Sequence, residues 1–264
     1  MKYILTVLLF LVGLKAPSPE QESAFKSGEW FKFRMSYSGW FKAGEATLKV
    51  DEKKLKGKSV YHVVGKGKTT GPVNLFFKVR DRYESYFDKE TGAPYKFIRK
   101  IDEGGHTKDI EIEFNHEEQK AVVNNKKHKK IKTIATEKDV QDMVSMYYYL
   151  RNSIDTDNLK IGDEIKTNMF FDEENYGFKL KYLGKETIKV DINGSRVRVN
   201  TLKFRPYVMA GRVFKEEESL TLWVSADKNK IPLKIKADLA VGSLRADLEE
   251  FKGLKHAFPI VFDN

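Results

Sequence analysis

Much of the chain after Gly28 alternates between apolar and polar residues with a period of two. Successive side chains of a β-strand point to opposite faces of the sheet, so this pattern predicts strands with one buried and one solvated face. Parallel strands buried on both faces would instead read as continuous apolar runs. The clearest alternating segments are 31–37, 48–50, 110–114, 178–182, 188–192 and 231–235.

Turn signals rich in Gly, Asn and Asp separate the alternating segments. These residues tolerate the backbone conformations that tight turns require. The pattern therefore predicts about 14 strands, joined mostly as antiparallel hairpins. The turn signals lie at 56–57, 91–92, 104–105, 124–125, 193–194 and 227–229.

One segment, 136–155, has helical rather than strand periodicity. Thr136 and Asp139 form a T-x-x-D capping pattern, and apolar residues follow at positions 140, 143, 144, 147 and 150. Asp142 near the start and Arg151 near the end suit the helix dipole. A stripe of Met and Tyr residues at this spacing is typical of core packing, so we predict one amphipathic helix that covers either an open end or one face of the sheet.

The segments on either side of this helix are similar to each other. Gly28, Asp88 and Pro94 have counterparts at Gly162, Asp227 and Pro232, at offsets of 134 to 139 residues. Repetition at a nearly constant offset indicates related structural units. We therefore predict a mainly β fold of two related antiparallel β-units, curved sheets or half-barrels. The units would cover 28–135 and 162–253 and flank the linking helix at 136–155.

The N-terminus has the features of an export signal. Lys2 precedes an apolar run at 3–14, which matches a signal-peptide core and is too short to span a bilayer. We predict a signal peptide at 1–18, with cleavage between 16 and 24, and a periplasmic or otherwise exported protein. The sequence has no Cys, so we expect no Cys-linked lipid anchor, disulfide or thiolate site. We also expect a soluble mature chain with no transmembrane span.

The charge balance indicates acidic partners. The formal net charge is +10, and it falls to about +8 once Lys2 and Lys15 leave with the signal peptide. Anionic lipid, lipopolysaccharide and acidic glycans are the partners that an exported basic protein meets, whereas we expect no nucleic acid. A solvated surface rich in Lys is the alternative explanation.

A search for catalytic motifs identifies no catalytic centre. The five His residues are scattered, and the H-E-x-x-H and G-x-S-x-G patterns are missing from the sequence. No S-x-x-K motif of the kind that supports a Ser nucleophile is identified. Gly65–Lys66–Gly67 lies in a strand pattern and does not precede a helix, as a phosphate loop would. We therefore predict no catalytic residue, metal or cofactor. A dispersed carboxylate pair acting on glycans stays open, because 38 acidic residues are available.

Three aromatic doublets and one charged strand supply the candidate ligand-binding residues. Neighbouring residues of a strand face opposite ways, so each doublet predicts one ring in the core and one on the far face. Far-face rings could line a groove for an acyl chain, with edge packing or burial beneath the helix as alternatives. Arg80 and Arg82 share a strand face with Glu84 and predict either an ion-pair ladder or the polar wall of a cleft. The doublets are Trp40–Phe41, Phe76–Phe77 and Phe170–Phe171.

Several short motifs occur in a characteristic order along the chain. They are G-E-W-F-K-F-R-M-S-Y at 28–37, G-E-A-T-L at 44–48, V-R-D-R-Y-E-S-Y-F-D at 79–88, D-M-V-S-M-Y-Y-Y-L-R at 142–151, and L-W-V-S-A-D…I-P-L at 222–233. With the leader, they make the chain resemble domain of unknown function 3108 over nearly its whole mature length. The resemblance implies a Gram-negative envelope setting and a β-rich fold akin to the half-barrels of periplasmic lipoprotein carriers. It implies no catalytic residues, because none are established for that family.

These observations favour a non-enzymatic envelope protein that binds a lipid or other amphiphile in a curved β-sheet. An assembly or structural factor that docks on envelope proteins through exposed strand edges is the second hypothesis. A glycan-active enzyme with a dispersed carboxylate pair is the third.

Overall fold

The computed structural model of the chain describes residues 22–209 and 220–260. The predicted signal peptide at 1–18 lies outside these residues. The strands are β1 Trp30–Tyr37, β2 Phe41–Leu55, β3 Lys58–Thr69, β4 Val79–Asp88, β5 Pro94–Glu103, β6 His106–Asn115, β7 Lys120–Asn125, β8 Lys130–Ala135, β9 Glu164–Phe171, β10 Glu174–Ile192, β11 Ser195–Met209, β12 Leu220–Ser225, β13 Pro232–Asp238 and β14 Ser243–Lys252. The helices are α1 Val73–Phe76 and α2 Met143–Ser153.

The fourteen strands form one open antiparallel sheet in the order β8-β7-β6-β5-β4-β3-β2-β1-β14-β13-β12-β11-β10-β9. The mainly β, antiparallel prediction is therefore confirmed. Pairing of β1 with β14 joins the strands before α2 to those after it. The predicted division into two units is not confirmed, because the ladder is continuous across their boundary.

Tight hairpins connect most neighbouring strands, and five of them lie at predicted turn signals. The sixth signal, 124–125, lies at the end of β7 rather than in a turn. The turn between β10 and β11 shows why such signals predict turns: Asn193 and Gly194 have φ values of 51° and 79°. Asn and Gly enter this left-handed region more readily than other residues, and the resulting turn matches the twist of a hairpin. The long β10–β11 hairpin extends beyond β12, and its tip packs against β1, β13 and β14.

The helix is present but begins at Met143, so the predicted start at Thr136 is wrong. Asp142 is the N-cap: one carboxylate oxygen accepts hydrogen bonds from the backbone amides of Val144 and Ser145, at 2.7 and 2.8 Å. The Ser145 hydroxyl accepts from the Asp142 amide at 3.0 Å, which completes a capping box.

The residues just before Asp142 are extended because they bond to the edge strand β9. The Gln141 amide donates to the Asn168 carbonyl, and the Phe170 amide donates to the Gln141 carbonyl, both at 2.8 Å. These backbone bonds compete with helix formation at the T-x-x-D pattern. A local capping pattern is therefore overridden by long-range pairing.

One face of the sheet, called the inner face here, packs on α2 and carries the hydrophobic core. One cluster lies between α2 and strands β2–β7, with Phe87, Phe97, Ile112, Tyr148 and Phe170 buried. A second cluster lies between the other side of α2 and strands β10–β12, and includes Leu150, Ile154, Leu180, Leu202 and Phe204. The helix thus fills the space that the curved sheet encloses. The opposite face is called the outer face.

A buried ion pair ties the end of α2 to the start of β1. Arg151 and Glu29 are 2% and 0% exposed, and the guanidinium donates to both carboxylate oxygens at 2.6 and 2.8 Å. It also donates to the backbone carbonyls of Asn229, between β12 and β13, and of Ala24. The rings of Phe25, Phe31, Tyr147 and Tyr148 lie 5.4 to 5.7 Å from the guanidinium carbon.

Side chains, rather than a ladder, bridge the two edges of the open sheet. Asp172, in the β9–β10 turn, binds Arg99 of β5 at 2.5 Å and Lys108 of β6 at 2.9 Å. Glu173 pairs with Lys132 of β8. Burial alone would raise the pKa of Asp172, but the two cations hold that pKa below its ordinary value. The edges therefore meet through charged contacts around a rolled sheet.

Replacing Glu29 with Gln tests the buried ion pair. We expect Glu29→Gln to lower the free energy of unfolding by about 3 to 5 kcal/mol, because Arg151 is left buried without a countercharge. Urea unfolding followed by circular dichroism measures this loss. Asp191→Asn is the matched control, since Asp191 pairs with Arg196 on the exposed surface and should change little. Equal losses in the two variants would contradict the central role of the buried pair.

Replacing Asp142 with Asn tests the buried cap. Burial raises the pKa of Asp142 from 3.8 to about 6, although hydrogen bonds from Ser85 and the backbone oppose the shift. Between these values the folded chain binds the proton more tightly than the unfolded chain, so ionisation of Asp142 costs stability as pH rises from 4 to 6. The unfolding free energy of Asp142→Asn relative to the parent should therefore rise over this range, by up to about 3 kcal/mol, and then level off. If the unfolding free energies of the parent and of Asp142→Asn run parallel from pH 4 to 7, the raised pKa of Asp142 is contradicted.

Candidate binding site

A groove of about 460 Å³ lies across strands β2 to β5. Most of its lining residues occupy alternate strand positions, so their side chains project from the outer face. The lining includes five cationic residues and only three acidic ones. The lining residues are Glu45, Thr47, Lys66, Gly67, Lys68, Arg80, Asp81, Arg82, Lys100, Ile101 and Asp102.

A row of three cations crosses the middle of the groove. Arg82 lies directly opposite Lys66 on one neighbouring strand and Lys100 on the other. Like charges placed directly opposite each other destabilise a sheet. No described residue forms an ion pair with Lys66, and Lys100 lies 3.7 Å from its acidic neighbour Asp109. Arg82 pairs with Glu84 at 2.6 Å, so Lys66 is the cation of this row that the described residues leave without an acidic partner.

A second row runs parallel to the first and is better balanced. Lys68 lies opposite Arg80, and Glu45 and Asp102 lie at the two ends. Lys68 pairs with Glu45 at 2.8 Å. The Arg80 guanidinium donates to backbone carbonyls of β3 and β4. These carbonyls do not neutralise Arg80, but the second row holds two acids for its two cations, so its formal charge is balanced.

An ionised carboxylate beside the groove positions Arg82. Glu84 accepts from Arg82 at 2.6 Å and lies 2.7 Å from His62, whose ring stacks on Tyr86. Partial burial would raise the pKa of Glu84, but hydrogen bonds from Arg82 and His62 hold it below its ordinary value. From the sequence, this strand was expected to form either an ion-pair ladder or the polar wall of a cleft. Glu84 has ladder-type contacts, and Arg80 and Arg82 line the groove.

The carboxylate of Asp81 belongs to the opposite face of the same strand. Alternation aligns it with Tyr83 and Ser85, as the sequence predicts. Burial, and then the negative charge of Glu103, raise the pKa of Asp81 to about 6. The cationic rows and this carboxylate are therefore separated by the sheet.

Three connections with exposed apolar side chains line up at the end of the sheet beside the groove, next to the β5–β6 turn. They are the β1–β2 turn, the β3–α1–β4 connection and the β13–β14 turn. Thr70 donates to the Ala43 carbonyl at 3.1 Å, and Ser38 donates to the Ser243 carbonyl at 2.7 Å, so backbone bonds link them. We call residues 38–43, 70–78 and 239–244 the apolar rim.

The apolar rim concentrates the exposed hydrophobic side chains. Phe76 is 88%, Leu75 82%, Val241 78% and Trp40 75% exposed. Eight of the twelve exposed large hydrophobic residues in the described ranges belong to the rim. Scattered exposed apolar residues are normal, but a contiguous group marks an interaction surface. The eight are Trp40, Phe41, Leu75, Phe76, Phe77, Leu239, Val241 and Leu244.

Six of the eight candidate residues lie at this end of the molecule. The other two do not: Phe170 is buried in the core, and Phe171 lies 4.7 Å from the guanidinium of Arg99. The predicted alternation is met in part by this doublet, since Phe170 is buried, but Phe171 packs on an inner-face guanidinium rather than on the far face. The alternation is wrong for the other two doublets, because Trp40 lies in a turn and Phe76 in the short helix α1. The six are Trp40, Phe41, Phe76, Phe77, Arg80 and Arg82.

The sequence reasoning missed other residues of this region, including Lys66, Lys68 and Lys100 of the groove. Lys66 and Lys68 alternate with glycines, and this spacing was the available signal that they share one face. The alignment of Lys66 with Arg82 and Lys100 depends on strand register, which the spacing does not give. Leu75 and Val241 of the rim were also missed, because they lie outside the aromatic doublets.

Within the described ranges, no helix is both long enough and apolar enough to cross a bilayer. No curated protein matches the chain significantly in sequence.

The comparison with solved structures finds matches at low sequence identity. A β-barrel-like protein of domain of unknown function DUF1849 from Brucella abortus has a TM-score of 0.54 at 10% identity, with 87% of this chain and 99% of that chain covered. At this identity the similarity shows the fold alone. A candidate exported protein with a YmcC-like fold from Bacteroides fragilis has a TM-score of 0.34 at 8% identity, with 87% and 99% covered.

The sequence also matches a family model over most of the chain. The family described as protein of unknown function DUF3108 matches residues 32–249, a range that begins in β1 and ends in β14. This range includes the whole groove, all three segments of the rim and α2. The chain therefore belongs to the DUF3108 family, as the ordered motifs of its sequence indicate.

Proposed function

We propose that this protein is an exported, non-enzymatic envelope protein that binds an anionic amphiphile at the outer face of its sheet. The anionic group would occupy the groove, and the apolar part would contact the neighbouring rim. The observation that carries the proposal is the row of Lys66, Arg82 and Lys100, which is incompletely neutralised and lies beside exposed apolar side chains.

The outer face is the better location because the inner face is already occupied. Phe87, Phe97, Tyr148 and Phe170 are each at most 1% exposed and pack around α2. An acyl chain on that side would have to displace well-packed core side chains, which is costly. The groove, in contrast, is open and offers positive charge beside aliphatic lysine stems.

The chemistry of the groove supports binding rather than catalysis. Lys and Arg side chains suit phosphate or carboxylate groups, and Arg offers a planar set of donors. Glu45, one of the lining acids, is paired with Lys68 at 2.8 Å. Export is supported by the predicted signal peptide, which also puts the protein where it would meet acidic lipids.

A second candidate function is docking on envelope proteins through a strand edge. β8 is at one end of the sheet, and among the described strands it forms a ladder with β7 alone. It also carries Ile131, which is 66% exposed. An edge strand of this kind can accept a strand from a partner. In-cell crosslinking that captures one discrete protein at β8 would favour this function over amphiphile binding.

The Lys66→Glu variant tests the groove. Dihexanoyl phosphatidylglycerol, kept below its critical micelle concentration, serves as the probe in calorimetry, with dihexanoyl phosphatidylcholine as the zwitterionic comparison. We expect the parent to bind the anionic lipid preferentially and Lys66→Glu to weaken binding by about tenfold or more, because the variant reverses a charge at the site. The unfolding free energy of this variant should stay the same or rise by about 0.2 to 1 kcal/mol, because the new Glu would lie opposite Arg82.

Lys53→Glu is the matched control, because Lys53 lies on the same strand as Thr47 but outside the groove. This variant makes the same charge change and should bind as the parent does. Equal weakening in both variants would show a general charge effect and contradict the groove. Failure of the parent to bind the anionic lipid would overturn the proposed function.

A further inference from the structure

We infer that the apolar rim docks into the surface of an anionic lipid bilayer, with the groove facing the lipid headgroups. The inference goes beyond the proposed function, because its partner is a membrane surface rather than a single amphiphile. It rests on the rim and its charge pattern, so it stands or falls separately from ligand binding in the groove.

The composition of the rim suits a membrane interface. Residues 38–43, 70–78 and 239–244 contain two cationic residues, Lys42 and Lys78, and no Asp or Glu. Trp and Phe side chains are favoured at the boundary between headgroups and acyl chains, and nearby Lys side chains reach the phosphates. The rim therefore combines exposed apolar side chains with positive charges, which an anionic bilayer attracts.

Contacts with the sheet hold the rim in place. The Phe77 ring lies against Gly104, and the Gly104 amide donates to the Lys78 carbonyl at 2.8 Å. At the β1–β2 turn, the Arg34 guanidinium donates to the Trp40 carbonyl at 3.0 Å. Tyr37 donates to the Val241 carbonyl at 2.9 Å. Surfaces already fixed in position lose less conformational entropy on binding.

Charge complementarity selects an anionic bilayer as the occupant. Lys68, Arg80 and the central cationic row of the groove continue the positive surface away from the rim. Two of the nearby acids are paired: Glu45 with Lys68, and Asp238 with Lys236 at 2.7 Å. Asp102 and Glu103, at the end of β5, form no ion pair with a described residue, but the cations of the groove and rim outnumber them. Basic residues beside a membrane gain from its negative surface potential, and this gain is screened by salt.

The three tryptophans make docking directly visible. Trp40 is 75% exposed, whereas Trp223 is 9% exposed and Trp30 is partly buried. Protein purified from the cell envelope is mixed with vesicles of phosphatidylglycerol and phosphatidylcholine at a ratio of about 3 to 7, and with vesicles of phosphatidylcholine alone. We expect cosedimentation and a blue shift of tryptophan emission with the anionic vesicles. Trp40→Phe should keep the cosedimentation and lose most of the shift.

A double variant, Leu75→Ser with Phe76→Ser, tests the rim itself. Both side chains are more than 80% exposed, so their replacement should leave the fold intact, as circular dichroism can check. We expect vesicle affinity to fall by about tenfold or more, because two buried apolar contacts with lipid are lost. The matched control is Ile131→Ser with Ile161→Ser, which removes side chains 66% and 77% exposed outside the rim and should bind vesicles as the parent does.

The possible results separate this inference from its competitors. No binding to anionic vesicles, equal losses in both double variants, or equal binding to uncharged vesicles would overturn it. Rim-dependent dimerisation in sedimentation velocity without vesicle binding would assign the rim to a second copy of the chain and also overturn it. Binding to vesicles without binding of dihexanoyl phosphatidylglycerol would support the docking inference and contradict the proposed function. Binding of dihexanoyl phosphatidylglycerol without binding to vesicles would support the proposed function and contradict the docking inference.

Discussion

The structure depends on one buried charge pair, in which Arg151 at the end of α2 meets Glu29 before β1. A guanidinium is tolerated in the core only when its donors are satisfied, and here the carboxylate and two backbone carbonyls accept them. The pair joins the helix, the N-terminal segment and the β12–β13 turn at one point. Because it fixes α2 within the rolled sheet, the space that a half-barrel would offer to a ligand is filled by the protein itself.

A filled interior leaves the outer face and the strand connections as the surfaces available for binding. Both carry features that the fold does not need. The cationic row of Lys66, Arg82 and Lys100 costs stability through repulsion, and the exposed rim presents apolar area to water. A surface that costs stability is typical of a site shaped by a partner. Charge and apolar area lie side by side here, which is the arrangement that an anionic amphiphile or its membrane requires.

Periodicity and turn chemistry were enough to predict the antiparallel strands, about half of the turns and the existence of α2, because these depend on residues close in sequence. Features that depend on long-range pairing could not be predicted. The helix starts at Met143 because Gln141 pairs with β9, and Arg151 finds its partner at Glu29, which lies 122 residues away. The groove depends on strand register as well, because the sequence alone does not show that Arg82 and Lys100 lie opposite each other. The rim depends on topology, which brings connections distant in sequence to one end of the sheet.

Hydrogen–deuterium exchange, measured with and without anionic vesicles, tests most directly whether the partner binds outside the filled interior. The account predicts slower exchange in the rim segments 38–43, 70–78 and 239–244 and in the adjoining parts of β3 and β4. Amides of α2 and of the β9–β10 turn should exchange at unchanged rates. Protection confined to α2 and the β9–β10 turn, with the rim unaffected, would show that the partner enters the interior and would contradict the account.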